Sequence, residues 1–258
     1  MGSRAVDPQS IRNVTVVGDP AETTRVVRRL LRPGAGPATT VHRMPGHRDH
    51  MIRIAELSSH IPLADLERSI RVADGLIVIL DPVARNASRL ETILRVADDH
   101  QVARLCLVTG LDHPADFDRY VRTIADIRGA RPLTLHLPFG SGGGLDGVID
   151  LIPMWALEPM ATEFYGSHWR VAEQRYRDLV AAVRAADGTE PDAAAGPGRI
   201  APEQLHDRVR RITRLGEAVP VLCDAVPGGG DIAPLLDAVV RYLPSPLLVC
   251  QPEHALDY

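Results

Sequence analysis

The chain has 258 residues, with 29 basic against 33 acidic side chains and a net charge of −4, and every Lys/Arg position is an arginine. The absence of lysine excludes a Schiff-base enzyme, because arginine offers no amine nucleophile. It also excludes a standard phosphate loop, whose lysine holds the β/γ-phosphates. A net negative chain has no global basic field to draw it to DNA or to a membrane surface.

The length suits one large domain, or one domain with an insertion. Only ten residues are aromatic, so the core must be aliphatic. Cys106, Cys223 and Cys250 have no metal-ligand spacing, and two of them sit in apolar strand-like runs, which reads as buried reduced thiols. No apolar run reaches the ~20 residues of a membrane span, and the start of the chain has no signal-peptide pattern, so a soluble cytoplasmic protein is expected.

Strand-like apolar runs alternate with helical periodicity from the start. Residues 14–18 read as a buried strand, 22–31 as a helix, and the Gly/Pro/His-rich 32–50 as a loop. A strand at 51–57 is followed by a helix at 63–72 and a continuously apolar strand at 75–80. A helix at 89–100, a strand at 104–108 and a helix at 116–128 continue the rhythm. Continuously apolar strands alternating with helices predict an α/β fold, a doubly wound, mostly parallel sheet covered on both faces. Such sheets bind ligands at the carboxyl ends of their strands.

The pattern then changes. A strand is expected at 133–137, a glycine turn at 140–144, a strand at 148–154, and a long helix at 169–186 in which Glu173 and Arg177 form an i,i+4 pair. Residues 187–199 have linker composition, and a helix at 202–215 precedes a strand at 219–223 and a helix at 232–243. The expected division is an α/β core of 1–137 and 219–258 with an inserted α/β subdomain at 138–218.

The order of these elements, and several stretches of sequence, resemble the GTPase domain of elongation factor G and related translation factors. "IRNVTVVGD…TTRVVRRLL" looks like the family's first strand, phosphate loop and first helix. "LERSIRVADGLIVILDPVARNASRLETILRVADDHQVARLCLV" is similar to the block after its second nucleotide motif. "DHPADFDRYVRTIADIRGARPLTLHLPFGSGGGLDGVIDLIPMWAL" resembles the entry to its inserted subdomain, and "GEAVPVLCDAV…GGGDIAPLLDAVVRYLPSP" the exit. The resemblance implies a P-loop GTPase-type fold over nearly the whole chain, standing alone without the domains that follow "LPSP" in the full factors.

The motifs that carry the family's chemistry depart from its pattern. Where the family has GxxxxGK[ST], this chain has Gly18-Asp19-Pro20-Ala21-Glu22-Thr23-Thr24, two residues short and without the second glycine. Pro20 removes an N–H donor, and Glu22 stands at the lysine's place. At ~4 Å and an effective dielectric of ~20, each carboxylate–phosphate charge pair costs about 4 kcal/mol. Thr23 matches the Mg²⁺ hydroxyl in position, although a helix N-cap is the simpler role for it. A Gly/Pro turn replaces the effector loop.

The stretch Glu56-Leu57-Ser58-Ser59-His60 matches DxxGH, with Ser59 for the glycine and His60 for the histidine that positions the attacking water. Met44-Pro45-Gly46-His47 looks more like the family's TPGH but precedes the strand instead of following it. NKxD becomes Thr109-Gly110-Leu111-Asp112, in which Asp112 survives to face a guanine edge, and GSA becomes Asp224-Ala225-Val226. Of the family's nucleotide contacts, Gly18, Thr23 and Asp112 remain as vestiges, and His60 alone matches a catalytic position.

Other clusters have plainer readings. His42, His47, His50 and Asp49 lack zinc-site spacing, so no metal site is expected. Gly228–Gly230 precede a helix whose simpler N-cap is Asp231. Arg208, Arg210, Arg211 and Arg214 form a basic stripe suited to rRNA or an acidic partner, or a solvated face. The resemblance implies a ribosomal partner, with the inserted subdomain facing the ribosomal stalk protein. The function expected is a non-catalytic interaction module with no cofactor. The alternatives are a weak GTPase that keeps GTP and Mg²⁺ through Asp112 and Thr23, and a scaffold reused for another small molecule.

Overall fold

The structure, a computed structural model, describes residues 7–31, 38–44, 48–80, 87–141, 144–188, 199–224 and 232–249. Nine strands and eight α-helices are found among them: β1 (Ile11–Gly18), α1 (Pro20–Leu30), β2 (Thr39–Arg43), β3 (Asp49–Ser58), α2 (Leu63–Arg71), β4 (Gly75–Leu80), α3 (Ala87–Asp99), β5 (Ala103–Val108) and α4 (Pro114–Ala125). There follow β6 (Pro132–Thr134), β7 (His136–Phe139), β8 (Gly147–Asp150), α5 (Ala161–Tyr165), α6 (His168–Asp187), α7 (Pro202–Arg214), β9 (Val219–Cys223) and α8 (Ala233–Tyr242).

Seven strands form one sheet in the order β2-β3-β1-β4-β5-β9-β6, and only β2 runs antiparallel to its neighbour. This is the doubly wound, mostly parallel sheet the periodicity predicted, of the P-loop GTPase type that the family resemblance implied. The strands alternate strictly between two apolar layers. Val14, Val16, Ile77, Ile79, Leu105 and Leu107 face Val26, Val27 and Leu30 of α1 and the apolar sides of α6, α7 and α8. Val17, Val78, Leu80, Cys106, Val108 and Val221 face Leu66, Ile70, Leu94, Phe117 and Ile124 of α2, α3 and α4. Continuous apolar runs in β4 and β5 follow from this, since both sides of each strand are covered. The order reverses at β1, which pairs with β3 on one side and β4 on the other, and this opens a crevice at the carboxyl ends.

Several expectations are corrected. Residues 32–50 are not all loop: Thr39–Arg43 pairs antiparallel with β3, Thr40 and His42 pointing inward and Val41 and Arg43 outward. The expected strand at 133–137 divides at Leu135, whose N–H donates to Val221 while its carbonyl accepts from Leu151. That one residue hands the chain from the main sheet to the β7–β8 hairpin. The strand expected at 148–154 ends at Asp150 and gives way to a 3₁₀ turn, Met154–Met160. Glu173 and Arg177 do not pair: Glu173 accepts from the Trp169 indole, and Arg177 donates to Gln174. Among the described residues, no helix is long and apolar enough to cross a membrane.

Candidate functional site

The loops that leave β1, β3, β5 and β9 meet at the carboxyl end of the sheet. Gly18 closes β1. A Cβ there would stand 2.8 Å from the Cβ of Ile79 on β4, so glycine is needed for strand packing whatever the loop binds. The next turn starts α1, capped by Asp19, whose carboxylate accepts from the Ala21 N–H at 2.9 Å, with Pro20 at the first helical position. This corrects the N-cap reading of Thr23. Thr23 lies a turn inside the helix, is buried, and its hydroxyl has no partner.

The side chains around this turn bond to one another. The Thr109 hydroxyl donates to Glu22 at 3.0 Å, and Arg25 pairs with the same carboxylate at 2.7 Å. Arg29 makes a two-pronged pair with Asp224, one prong at 3.2 Å, and Arg25 reaches the same carboxylate at 3.9 Å. The Thr24 hydroxyl donates to Glu56 at 3.0 Å. The Ser59 N–H donates to the Gly18 carbonyl at 2.8 Å, and the His60 ring lies 3.5 Å from Asp19. The positions that align with four nucleotide motifs are therefore tied together by protein groups, the Glu22 carboxylate in the first turn of α1 among them.

Gly18, Thr23 and His60 come together in one corner, His60 exposed and aimed at Asp19. Asp112 lies three residues after Thr109 in the segment that leaves β5 and is exposed. Gly110, at the family's second lysine, has φ +61, so the backbone itself favours glycine there. Residues 225–226 of the last motif, His47 of the TPGH-like stretch, Cys250, the 189–198 part of the expected linker and 228–231 lie outside the described residues. Cys106 and Cys223 are buried free thiols, with burial pushing the Cys106 pKa up to about 12. His42 pairs with Asp237 at 2.5 Å and Asp49 with Arg43, so two members of the expected histidine-loop cluster have separate partners.

Arg208, Arg210 and Arg211 of the basic stripe on α7 have partners within the chain. Arg208 and Arg211 converge on Asp187, whose side chain is almost wholly buried, and Arg210 pairs with Asp207 at 2.8 Å. Arg211 nevertheless keeps 57% of its side chain exposed, so the stripe remains a partly solvated face. Sequence reading missed Thr109 and Asp224 as partners of α1. Beside Asp224 lies a cavity of about 150 Å³ lined by His136, Asp150, Leu107, Leu222 and Leu235. The Cys223 N–H points at Nδ1 of His136 at 3.4 Å, and burial lowers the His136 pKa.

No protein-family model matches the chain. Elongation factor G of Fervidobacterium nodosum is 34% identical to it over 210 residues, covering 78% of this chain and 30% of that protein. A crystal structure of a Thermus thermophilus protein superposes with a TM-score of 0.63 at 18% identity, over 92% of this chain and 40% of that one, and so shares the fold. The chain thus spans less than a third of the length of the elongation factor it matches. By sequence and by fold, the protein belongs with the GTPase domain of the translational GTPases, elongation factor G among them.

Proposed function

We propose that this chain is a translation-type GTPase-domain module that works by docking a ribosomal or protein partner in the cytoplasm, without binding or hydrolysing nucleotide. The observation that carries the reading is Glu22. It occupies the place of the phosphate-binding lysine, and it is held there by Thr109 and Arg25. A nucleotide phosphate entering this turn would meet a carboxylate in place of an ammonium and would have to break the Glu22–Thr109 bond. The tie between Asp224 and α1 adds to the support, since it fixes the helix that follows the loop.

A second reading, a weak GTPase, draws on the unpartnered Thr23 hydroxyl and the exposed Asp112 carboxylate. Calorimetric titration with GTP and GDP in Mg²⁺ separates the two. The proposed reading predicts no saturable heat, and micromolar binding would overturn it. Co-sedimentation with ribosomes, and a pull-down with stalk protein, test the partner. Retention is expected, and a clean negative in both removes the docking part of the proposal.

A further inference from the structure

The cavity of about 150 Å³ beside Asp224 lies between the main sheet, the β7–β8 hairpin and the start of α8. Leu107 and Leu222 of the sheet and Leu235 of α8 give it apolar walls. Its further polar side chains come from the hairpin. His136 and Asp150 stand directly opposite each other in the antiparallel register, so their side chains share one face of the hairpin, and both line the cavity. Apart from Asp224, none of its lining residues belongs to a nucleotide motif.

The hydrogen-bonding roles of this pair follow from their neighbours. The strand β6 ends at Thr134, and beyond it the Cys223 N–H of β9 meets the His136 ring in place of a strand carbonyl. Nδ1 of His136 stands 3.4 Å from both the N–H and the carbonyl of Cys223. A buried backbone N–H needs an acceptor, so Nδ1 accepts and the proton of the neutral ring sits on Nε2. The side chain is buried, at 6% exposure, and burial lowers its pKa, which keeps the ring neutral. Asp150 spends one carboxylate oxygen on the Ile152 N–H at 3.1 Å, which leaves the other able to accept from a second donor. An otherwise apolar cavity thus carries an imidazole N–H donor and a carboxylate acceptor side by side.

We infer that this cavity binds a neutral, ring-sized molecule bearing one hydroxyl group, of the phenol type. The size follows from the volume, since a cavity of about 150 Å³ holds a benzene ring. The hydroxyl follows from the pair: one oxygen can accept from Nε2 of His136 and donate to Asp150. A wholly apolar cavity would refuse such a group, because burying a hydroxyl unpaired is costly. An anion is disfavoured, because Asp150 and Asp224 line the same space. The inference does not rest on the nucleotide reading and stands whether or not nucleotide binds.

The test is calorimetric titration of the full chain with phenol, fluorobenzene and benzoate. Phenol should bind with a dissociation constant of about 1 mM or tighter. Fluorobenzene, which keeps the ring and loses the hydroxyl, should bind at least about fivefold more weakly. Benzoate should give no isotherm, and Leu235→Phe, which puts a ring into the same space, should abolish phenol binding. No phenol binding, fluorobenzene binding as tightly as phenol, a benzoate isotherm, or phenol binding that survives Leu235→Phe would each overturn the inference. If the variant does not fold, crystals of the unaltered chain soaked in phenol decide. A ring beside Leu222 and Leu235 with its oxygen on His136 and Asp150 supports the site, and water alone there refutes it.

Discussion

The Thr109 hydroxyl donates a hydrogen bond to the Glu22 carboxylate at 3.0 Å, joining the loop after β5 to the first turn of α1. In the family's pattern these two positions are an asparagine that tethers the loop and a lysine that holds phosphate. In the proposed function the tether survives with different chemistry, and the phosphate ligand does not. The pair has become a structural strut across the crevice.

That strut has a measurable weight. Thr109 is fully buried, so Glu22→Ala leaves its hydroxyl without an acceptor and should cost about 1–3 kcal/mol in urea unfolding. Thr109→Val removes the donor together with its need for a partner, and should cost less than Glu22→Ala. Equal or reversed losses would show that the hydrogen bond contributes little.

Asp224 ties α1 to the end of β9 through Arg29, and both side chains are largely sheltered, at 10% and 19% exposure. Asp224→Ala should lower stability by about 2 kcal/mol, because a charged hydrogen-bond acceptor is lost. Asp224→Asn should recover part of that loss. Denaturant melts of the two variants check the ranking.

Arg104 is buried throughout and donates to Asp98 at 2.8 Å and to the Gly129 carbonyl at 2.7 Å. Nη2 makes both bonds and Nη1 adds a longer one to the Val102 carbonyl at 3.4 Å, a spread of acceptors that the single ammonium of a lysine does not cover. Arg104→Lys should therefore cost about 2 kcal/mol in the same assay. In a chain without lysine this site uses arginine for its geometry, whatever set the overall composition.

His206 on α7 is buried against the Tyr242 hydroxyl at 2.7 Å. Burial, then the charges of Arg241 and Arg210, lower its pKa to about 4. The folded chain thus holds the neutral ring, while the unfolded chain takes up a proton near pH 6.5. This contribution is complete above pH 6.5 and is lost as pH falls from there towards 4, by up to about 3 kcal/mol. His206→Gln should flatten the stability profile between about pH 7 and 4.5 relative to the parent. Parallel profiles would place the acid sensitivity elsewhere.

The architecture was legible because burial on both faces writes itself into sequence as apolar runs such as Gly75–Leu80. β2 was hidden because it is an edge strand of only five residues, with one face exposed and proline and glycine on either side. The division at Leu135 was invisible because it depends on which strands lie alongside, not on local propensity. At the site, Glu22 was readable as a wrong charge by position alone. Its partner Thr109 is 87 residues away, and the Arg29–Asp224 pair spans 195, so only the fold brings them together. Thr23 was misplaced for a local reason: Asp19 and Pro20 form a better helix start than a threonine three residues on.

The most direct test of the central claim is isothermal titration of the intact chain with GTP and with GDP in Mg²⁺. With Glu22 in the first turn of α1 and held by Thr109 and Arg25, no binding isotherm should develop at ligand concentrations up to about 1 mM, a free energy near −4 kcal/mol. A dissociation constant in the micromolar range for either nucleotide would contradict it.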